Sequence, residues 1–278
     1  MRLYKKGMFV FVQHEDMVYQ LKTDWDELVN RTGLYRYLIS ILDTLPTVED
    51  FSPFQQYDPP VGSQELWAAG VTYLRSKIAR EAESADQGGA TFYDKVYTAE
   101  RPELFFKSLP HRIAGNLSPV HIRRDSTWDV PEPELTLFIN SLGTIEGYTI
   151  GNDMSSRSIE GENPLYLAQA KVYDRSASLG PCLAVFPDSI PADTKINLSI
   201  TRNDDVVFTG QTDIAQIIRP LEELASFLFR ETSFEKGVML MTGTGVIPAD
   251  DFTLQVGDEV QIIIEHIGML VNSVKQRT

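Results

Sequence analysis

The spacing of hydrophobic and polar positions changes several times along the chain. Residues 8–22 alternate as expected for two short strands around a turn at 14–16. From Asp24 to Leu45 the apolar side chains recur at helical spacing, with a break at Gly33. A further amphipathic helix is predicted to begin after Pro220 and to end near Arg230. Residues 8–45 therefore combine strand and helix signals, and the helix after Pro220 is predicted late in the chain.

Beyond Leu104 most segments are short, rich in β-branched and aromatic residues, and separated by Gly, Pro, Asn or Asp. The predicted strands are 134–140, 144–152, 181–186, 196–202, 237–241, 258–265 and 267–273. One more helix is predicted from Tyr73 to Ser84, followed by a loop at Gly88 and Gly89. Many strands with few helices predict a mixed α/β, β-rich fold, a roll or sandwich with peripheral helices.

Residues 47–62 show no periodicity, and four prolines lie in or beside this stretch: Pro46, Pro53, Pro59 and Pro60. Such a composition is typical of a linker. A chain of 278 residues is also long enough for about two domains. We therefore predict a small N-terminal α+β domain at 1–60 and a larger domain at 61–278.

The charge balance excludes several functions. The chain has 39 acidic and 25 basic side chains, which gives a net charge of −14. This charge would repel a nucleic acid backbone. The single cysteine, Cys182, excludes a disulfide framework and fits a reducing compartment. Neither a signal peptide nor a membrane span is indicated. We expect a cytoplasmic protein that binds neither nucleic acid nor membranes, and a small anionic substrate would need a cationic group to receive it.

The segment from Pro131 to Asn140 carries the first candidate chemistry. Residues i and i+2 of an extended chain point to one face, so Glu132 and Glu134 project side by side. Two carboxylates this close repel each other unless a cation or a shared proton relieves them, and Mg²⁺ prefers such oxygen ligands. The alternative is a solvated strand start without any ligand.

A third carboxylate follows on the next predicted strand. The run from Gly147 to Asp153 is expected to pair with 134–140 through a turn near Leu142 and Gly143. Asp153 stands where that strand ends, a position at which functional side chains often emerge. Asp is also a favoured N-cap, so a cap for a helix starting at 154–157 is the alternative.

These segments together resemble a known family. The motifs are Glu132-x-Glu134, the run 147–157, Lys171-Val-Tyr-Asp174, Leu179-Gly-Pro181, the run 102–107, and Met241-Thr-Gly-Thr-Gly245. Along the chain these motifs have the family's order and spacing, and over roughly residues 65–275 the chain resembles the fumarylacetoacetate hydrolase family. The run 163–171 is most similar to that family's 2-keto-3-deoxy-D-arabinonate dehydratase branch. The resemblance implies that family's β-roll for the larger domain and a homodimer or homotetramer.

By this resemblance Glu132, Glu134 and Asp153 are the metal ligands, with Mg²⁺ the expected ion and Mn²⁺ or Ca²⁺ as alternatives. The implied substrate is a small α-keto acid whose carboxylate and keto oxygens chelate the metal. Positive charge beside the carbonyl then stabilises the enolate that forms when a C3 proton leaves.

Three further residues acquire roles from the resemblance. Lys171 matches the family's lysine on the strand after the loop and would steady the enolate or move a proton, and its alternative is a surface lysine paired with Asp174. Thr244, in a glycine-flanked turn, would hold the substrate carboxylate, unless the turn is a simple hairpin. Glu103 would be a carboxylate base near the metal, or else a solvated charge.

One departure from the family narrows the reaction. Members that hydrolyse carbon–carbon bonds or decarboxylate carry a His and a Glu where this chain has Ser76 and Ala79. Neither residue activates a water, whereas loss of a C3 proton and of hydroxide from C4 needs no such pair. The resemblance thus favours dehydration of 2-keto-3-deoxy-D-arabinonate, which is the same compound as 2-keto-3-deoxy-D-xylonate, to 2,5-dioxopentanoate in pentose catabolism. The alternatives are an acylpyruvate hydrolase, decarboxylase or isomerase that acts on a related keto acid, or a catalytically silent member of the family.

Overall fold

The computed structural model describes residues 1–74, 96–97 and 99–277, and its architecture is β-rich. Its strands are β1 Arg2–Lys6, β2 Phe9–His14, β3 Met17–Lys22, β4 Glu65–Gly70, β5 Glu103–Ser108, β6 Ile113–Ala114, β7 Val120–Ile122, β8 Asp129–Val130, β9 Pro133–Ile139, β10 Ile145–Asp153, β11 Ser155–Ser156, β12 Ala177–Ala184, β13 Lys195–Arg202, β14 Asp205–Asp213, β15 Val238–Met241, β16 Glu259–Ile264 and β17 Gly268–Gln276. The α-helices of the described part are α1 Trp25–Val29, α2 Leu34–Ile41, α3 Arg157–Glu162, α4 Leu167–Lys171 and α5 Leu221–Leu228.

A ten-stranded sheet forms the larger layer. Its order is β3-β2-β1-β12-β10-β9-β15-β4-β5, with β6 paired to β12. All seven residues of β9 are buried, as expected for a strand that is covered on both faces. β9 and β10 pair antiparallel and set Thr149 opposite Thr136 and Gly151 opposite Glu134. This pair places the predicted metal ligands in the middle of the sheet.

A five-stranded sheet in the order β14-β13-β16-β17-β7 forms the second layer. β13 buries every second residue, and the buried ones are Ile196, Leu198 and Ile200. These side chains belong to the same core cluster as Leu135 and Leu137 of β9. The inner faces of the two sheets therefore pack against each other, and the predicted sandwich-like, β-rich fold is confirmed.

The N-terminal segment continues the large sheet. β1 pairs antiparallel with β12, so that Arg2 lies opposite Ala184. α1 and α2 bury Trp25, Leu34 and Leu38 in a core cluster that also contains Phe138 of β9. This packing extends the sheet and covers one of its faces. The boundary near residue 60 stays a prediction.

The predicted elements largely match those of the structure. The strands and helices of 8–45, the seven predicted strands after 130 and the helix after Pro220 are present, with ends displaced by a few residues. β14 was not predicted, because its exposed Val206 and Val207 obscure the alternation. The helix predicted from Tyr73 to Ser84 lies, beyond residue 74, outside the described residues, as do Ser76, Ala79, Gly88 and Gly89. In the described part, no helix is both long and apolar enough to span a bilayer.

Candidate metal and keto-acid site

The three predicted ligands lie together. Glu132, Glu134 and Asp153 are buried, and one carboxylate oxygen of each lies within 4.8 Å of those of the other two. The backbone explains this proximity, because the Glu132 N–H donates to the Asp153 carbonyl at 3.2 Å and the Asp153 N–H donates to the Glu132 carbonyl at 2.9 Å. Glu134 stands two residues further along the same extended segment, and its side chain therefore points to the same face.

Asp153 ends β10 and caps no helix. The next helix, α3, takes Ser156 as its N-cap, and the Ser156 hydroxyl accepts from the Ile159 N–H. Between them β11 pairs with β8, with Ser155 opposite Val130. The N-cap alternative for Asp153 is therefore wrong, and the carboxylate is directed to the cluster of acids instead.

Three cations of the described residues contact the carboxylates. The Lys171 Nζ lies 2.6 Å from Glu132 Oε2 and 3.2 Å from Asp153 Oδ2. The Lys107 Nζ lies 2.5 Å from Asp153 Oδ1, and the Arg157 Nη2 lies 2.5 Å from Glu132 Oε1. These contacts join Glu132 and Asp153 to three cations in one buried network, beside which Glu134 lies.

Lys171 is fully buried and is the last residue of α4. The prediction that it lies on a strand is therefore wrong, and so is the alternative of a surface lysine paired with Asp174. Besides the two carboxylates its ammonium contacts the Ser155 hydroxyl at 2.5 Å, and it lies 5.6 Å from the centre of the Phe105 ring. The end of this short helix thus places Lys171 at a cavity that Glu132, Glu134 and Asp153 also line.

Burial and charge move the pKa values of the carboxyl groups in different directions. Burial, followed by the charges of Asp153 and Glu132, raises the pKa of Glu134 well above its ordinary value. Burial acts in the same sense on Asp153, but the Lys107 and Lys171 ammonium groups outweigh it and hold its pKa below the ordinary value. The surroundings therefore favour the neutral form of Glu134 and the ionised form of Asp153.

The donor set suits a hard divalent cation. It consists of three buried carboxylates, and oxygen ligands of this kind suit Mg²⁺, Mn²⁺ and Ca²⁺ better than a softer metal. Burial and the two neighbouring carboxylates raise the pKa of Glu134, so a cation bound beside it would favour its ionised form. The residues present thus fit the ion that the sequence predicted.

The turn after β15 closes the cavity beside Glu134. The Gly243 N–H donates to Glu134 Oε2 at 2.6 Å. Gly243 has φ +91°, and a Cβ there would lie 2.0 Å from the Thr72 hydroxyl, so this turn requires glycine. Thr244 lines the cavity, while its hydroxyl donates to the Val246 carbonyl at 3.1 Å. β15 pairs with β4 and β9 and not with the strand that follows, so the hairpin alternative for Thr244 is wrong.

Glu103 lies over the glycine that lines the cavity. It begins β5 opposite Gly70 of β4, and its carboxylate packs over that glycine, where a Cβ would lie 2.0 Å from Glu103 Oε2. Gly70 lines the cavity, whereas Glu103 is not among the described residues that line it. Its role as a base stays a prediction.

Sequence reasoning missed Lys107 and Arg157 as members of the cluster. Both stood in recognised motifs, and Lys107 follows Glu103 and Phe105 at the two-residue spacing of a strand. A fully buried lysine or arginine needs an anionic partner, and neighbouring buried carboxylates need cations. The three predicted carboxylates were therefore the signal that could have identified Lys107 and Arg157 as their partners.

Asp129, next to this cluster on β8, gives a pH-dependent prediction. Burial raises the pKa of Asp129 to about 6. The pKa of this carboxyl group is lower in the unfolded chain, so folding disfavours its ionised form. The free energy of unfolding therefore decreases as the pH rises from about 4 to 6. We expect Asp129→Asn to raise the free energy of unfolding by about 1–2 kcal/mol at pH 7.5, but not at pH 4. Urea denaturation of both proteins at the two pH values measures this difference, and an equal effect at both would contradict it.

The chain matches known proteins over most of its length. The family described as "Fumarylacetoacetate (FAA) hydrolase C-terminal" matches residues 67–275. A Haloferax volcanii protein described as "Probable 2-keto-3-deoxyxylonate dehydratase" is 43% identical over 88% of this chain and 84% of its own length. The "2-dehydro-3-deoxy-D-arabinonate dehydratase" of Saccharolobus solfataricus is 39% identical over 83% of this chain and 76% of its own length.

A solved structure shares the fold. A 2-keto-3-deoxy-D-arabinonate dehydratase complexed with magnesium and 2,5-dioxopentanoate superposes with a TM-score of 0.85 at 33% identity, covering 99% of this chain and 98% of the other. The family match includes the strands that carry all three carboxylates and the turn at Thr244. This chain belongs to the fumarylacetoacetate hydrolase family.

Proposed function

We propose that this protein is a Mg²⁺-dependent dehydratase that converts 2-keto-3-deoxy-D-arabinonate, which is also 2-keto-3-deoxy-D-xylonate, into 2,5-dioxopentanoate. The observation that carries the proposal is the buried carboxylate triad with Lys171 in contact with two of its members. The two dehydratase relatives, similar over more than four fifths of this chain, support the choice of reaction.

The proposed reaction removes one water from the substrate. A proton leaves C3 and hydroxide leaves C4, and tautomerisation then gives the C5 aldehyde. Glu132, Glu134 and Asp153 would hold Mg²⁺, which when bound supplies positive charge beside the keto group and so favours loss of the C3 proton. The oxygen atoms of the triad are fixed by backbone pairing and by buried cations, so little reorganisation is needed.

Lys171 is the proposed proton carrier. Its ammonium is held by Glu132, Asp153 and Ser155 at the edge of the cavity, where it is shielded from water and able to exchange a proton with substrate carbon or oxygen. Glu103, packed on Gly70 of the cavity wall, is the second candidate base. Thr244 lines the same cavity and is the proposed contact for the substrate carboxylate.

The cellular setting also follows as a proposal. The single, buried Cys182 fits a cytoplasmic protein. The family resemblance supports a homodimer or homotetramer, and light scattering coupled to size exclusion would measure the mass. The proposed substrate is a five-carbon deoxy keto acid, and its conversion to an aldehyde supports a role in pentose catabolism.

A direct assay tests the function. Purified protein with Mg²⁺ is given 2-keto-3-deoxy-D-arabinonate, and 2,5-dioxopentanoate is quantified by NMR or by an aldehyde-specific reagent, with EDTA as the control. Oxaloacetate and an acylpyruvate run in parallel, because they report the decarboxylase, isomerase and hydrolase alternatives. Turnover of either of these in place of the deoxy keto acid, or no turnover of any, would contradict the proposal.

Metal binding itself is open to a thermal test. We expect Mg²⁺ at about 100 times its Kd to stabilise the protein by about 2.7 kcal/mol and to raise Tm by roughly 5 °C over an EDTA-treated sample. Scanning calorimetry measures the shift. Glu134→Gln should remove it, since this substitution deletes one ligand charge, and a shift that persists in the variant would place the ion elsewhere.

A further inference from the structure

Lys107 is a fully buried lysine whose ammonium has two hydrogen-bond acceptors and one ion-pair partner. The Nζ donates to the Met154 carbonyl at 2.9 Å and to the Lys171 carbonyl at 2.6 Å. It also forms an ion pair with the Asp153 carboxylate, at 2.5 Å from Oδ1. On a further side the ring of Tyr173 lies 5.9 Å from the Nζ, a cation–π distance.

The three groups that Lys107 contacts belong to two parts of the site that are separate in the chain. Asp153 ends β10 and is a proposed ligand, and Met154 follows it. The Lys171 carbonyl is the C-terminal end of α4, whose last carbonyl groups lack partners within the helix. Lys107 itself reaches both from β5, at the edge of the large sheet.

Lys107 is not among the described residues that line the cavity beside the carboxylates. Asp153 and Lys171 do line it. Its ammonium occupies one oxygen of Asp153, and it thereby leaves the other, Oδ2, directed towards Lys171 at 3.2 Å. Lys107 therefore acts on the site only through Asp153 and Lys171.

We propose that Lys107 is a positioning residue that fixes the Asp153 carboxylate and the backbone of Lys171 relative to each other. The proposal deepens the proposed function and rests on it, since it names the residue that holds the ligand Asp153 and the proton carrier Lys171 in a fixed relative position. Hydrogen-bonded partners one layer behind a metal site orient the ligands and typically alter activity or affinity by about 10–100-fold when they are replaced.

The test variant is Lys107→Met, which keeps the apolar stem and removes the charge and all three donors. We expect kcat to fall by about 10–100-fold with KM for the keto acid within about threefold, because Lys107 is not among the described residues that line the cavity. Mg²⁺ affinity, measured by titration calorimetry, should fall by up to about 10–100-fold, because Lys107 no longer holds the proposed ligand Asp153 in place. Lys5→Met is the matched control, since the Lys5 Nζ donates to the Val61 carbonyl at 2.8 Å away from the site.

A crystal structure of the Lys107→Met protein provides a readout that does not depend on turnover. We expect the Asp153 carboxylate or the Lys171 carbonyl to move by more than about 0.5 Å, the tolerance of a productive site. Both groups staying in place, or kcat staying within threefold of the wild type while only Tm falls, would overturn the positioning role. A rise in KM alone would instead make Lys107 a substrate contact, and that result also overturns the positioning role.

Two controls keep the outcome interpretable. If Lys107→Met does not fold, Lys107→Gln retains an amide donor in the same place and is expected to show an intermediate loss of kcat. If the wild-type protein itself does not dehydrate the keto acid, the proposed function fails, whereas the crystallographic and calorimetric results still decide whether Lys107 positions Asp153 and Lys171.

Discussion

Glu132→Gln is expected to lose Mg²⁺-dependent dehydration by at least about 10³-fold. The substitution keeps the shape of the side chain but removes one of three ligand charges, and metal-assisted charge stabilisation of about 4 kcal/mol corresponds to a thousandfold in rate. It also removes the negative charge that Arg157 and Lys171, both buried, contact at Glu132. The measurement is kcat/KM over a range of Mg²⁺ concentrations, so that weaker metal binding and slower chemistry are separated.

Glu65→Gln is the matched control for this variant. Glu65 lies at the start of β4, is half-buried and accepts from the Trp67 Nε1 at 2.8 Å, a bond that an amide oxygen also accepts. It is expected to retain wild-type turnover. Undiminished activity in Glu132→Gln would refute its assignment as a metal ligand, provided that melting curves show both variants to be folded.

Lys171→Met is expected to lower kcat by about 10²–10⁴-fold, the usual contribution of a positioned acid or base. Its ammonium is the cation that contacts two carboxylates of the triad and also lines the cavity. The Met side chain preserves the buried stem, so that the loss reports the proton and the charge. Stopped-flow or steady-state assays at saturating Mg²⁺ measure kcat directly.

The Mg²⁺ affinity of this variant separates two roles of Lys171. If the lysine serves the chemistry, calorimetry should show Mg²⁺ binding at least as tight as in the wild type, because a competing positive charge has been removed. If it instead braces the ligands, affinity and kcat should fall together, and full restoration of turnover by excess Mg²⁺ would refute its role as the proton carrier.

The parts of the fold that could be predicted are those with a local cause. The two-residue period of a strand was enough to bring Glu132 and Glu134 to one face, and the short turn between β9 and β10 placed Asp153 beside them. The helices around Gly33 and after Pro220 were likewise visible, because their apolar spacing is local.

The parts that escaped prediction depend on contacts between distant residues. Lys107 and Asp153 are far apart in the chain, and no periodicity of either segment encodes their pairing. β1 joins β12 through backbone hydrogen bonds, which leave no mark on side-chain pattern. Lys171 was expected on a strand, but the apolar run before it forms the short helix α4, whose end is held by a buried cation from β5.

The place of β9 and β10 in the large sheet bears on how the site fluctuates. Both strands have neighbours on each side, whereas β3 and β5 lie at the ends of the strand order. Amide protons in such interior strands exchange with solvent only in openings whose free energy approaches that of global unfolding. Glu134 and Asp153, which lie on these strands, and Glu132, whose backbone pairs with that of Asp153, are thus expected to belong to the last cooperative unit to open. The geometry that would receive an ion then persists as long as the protein remains folded.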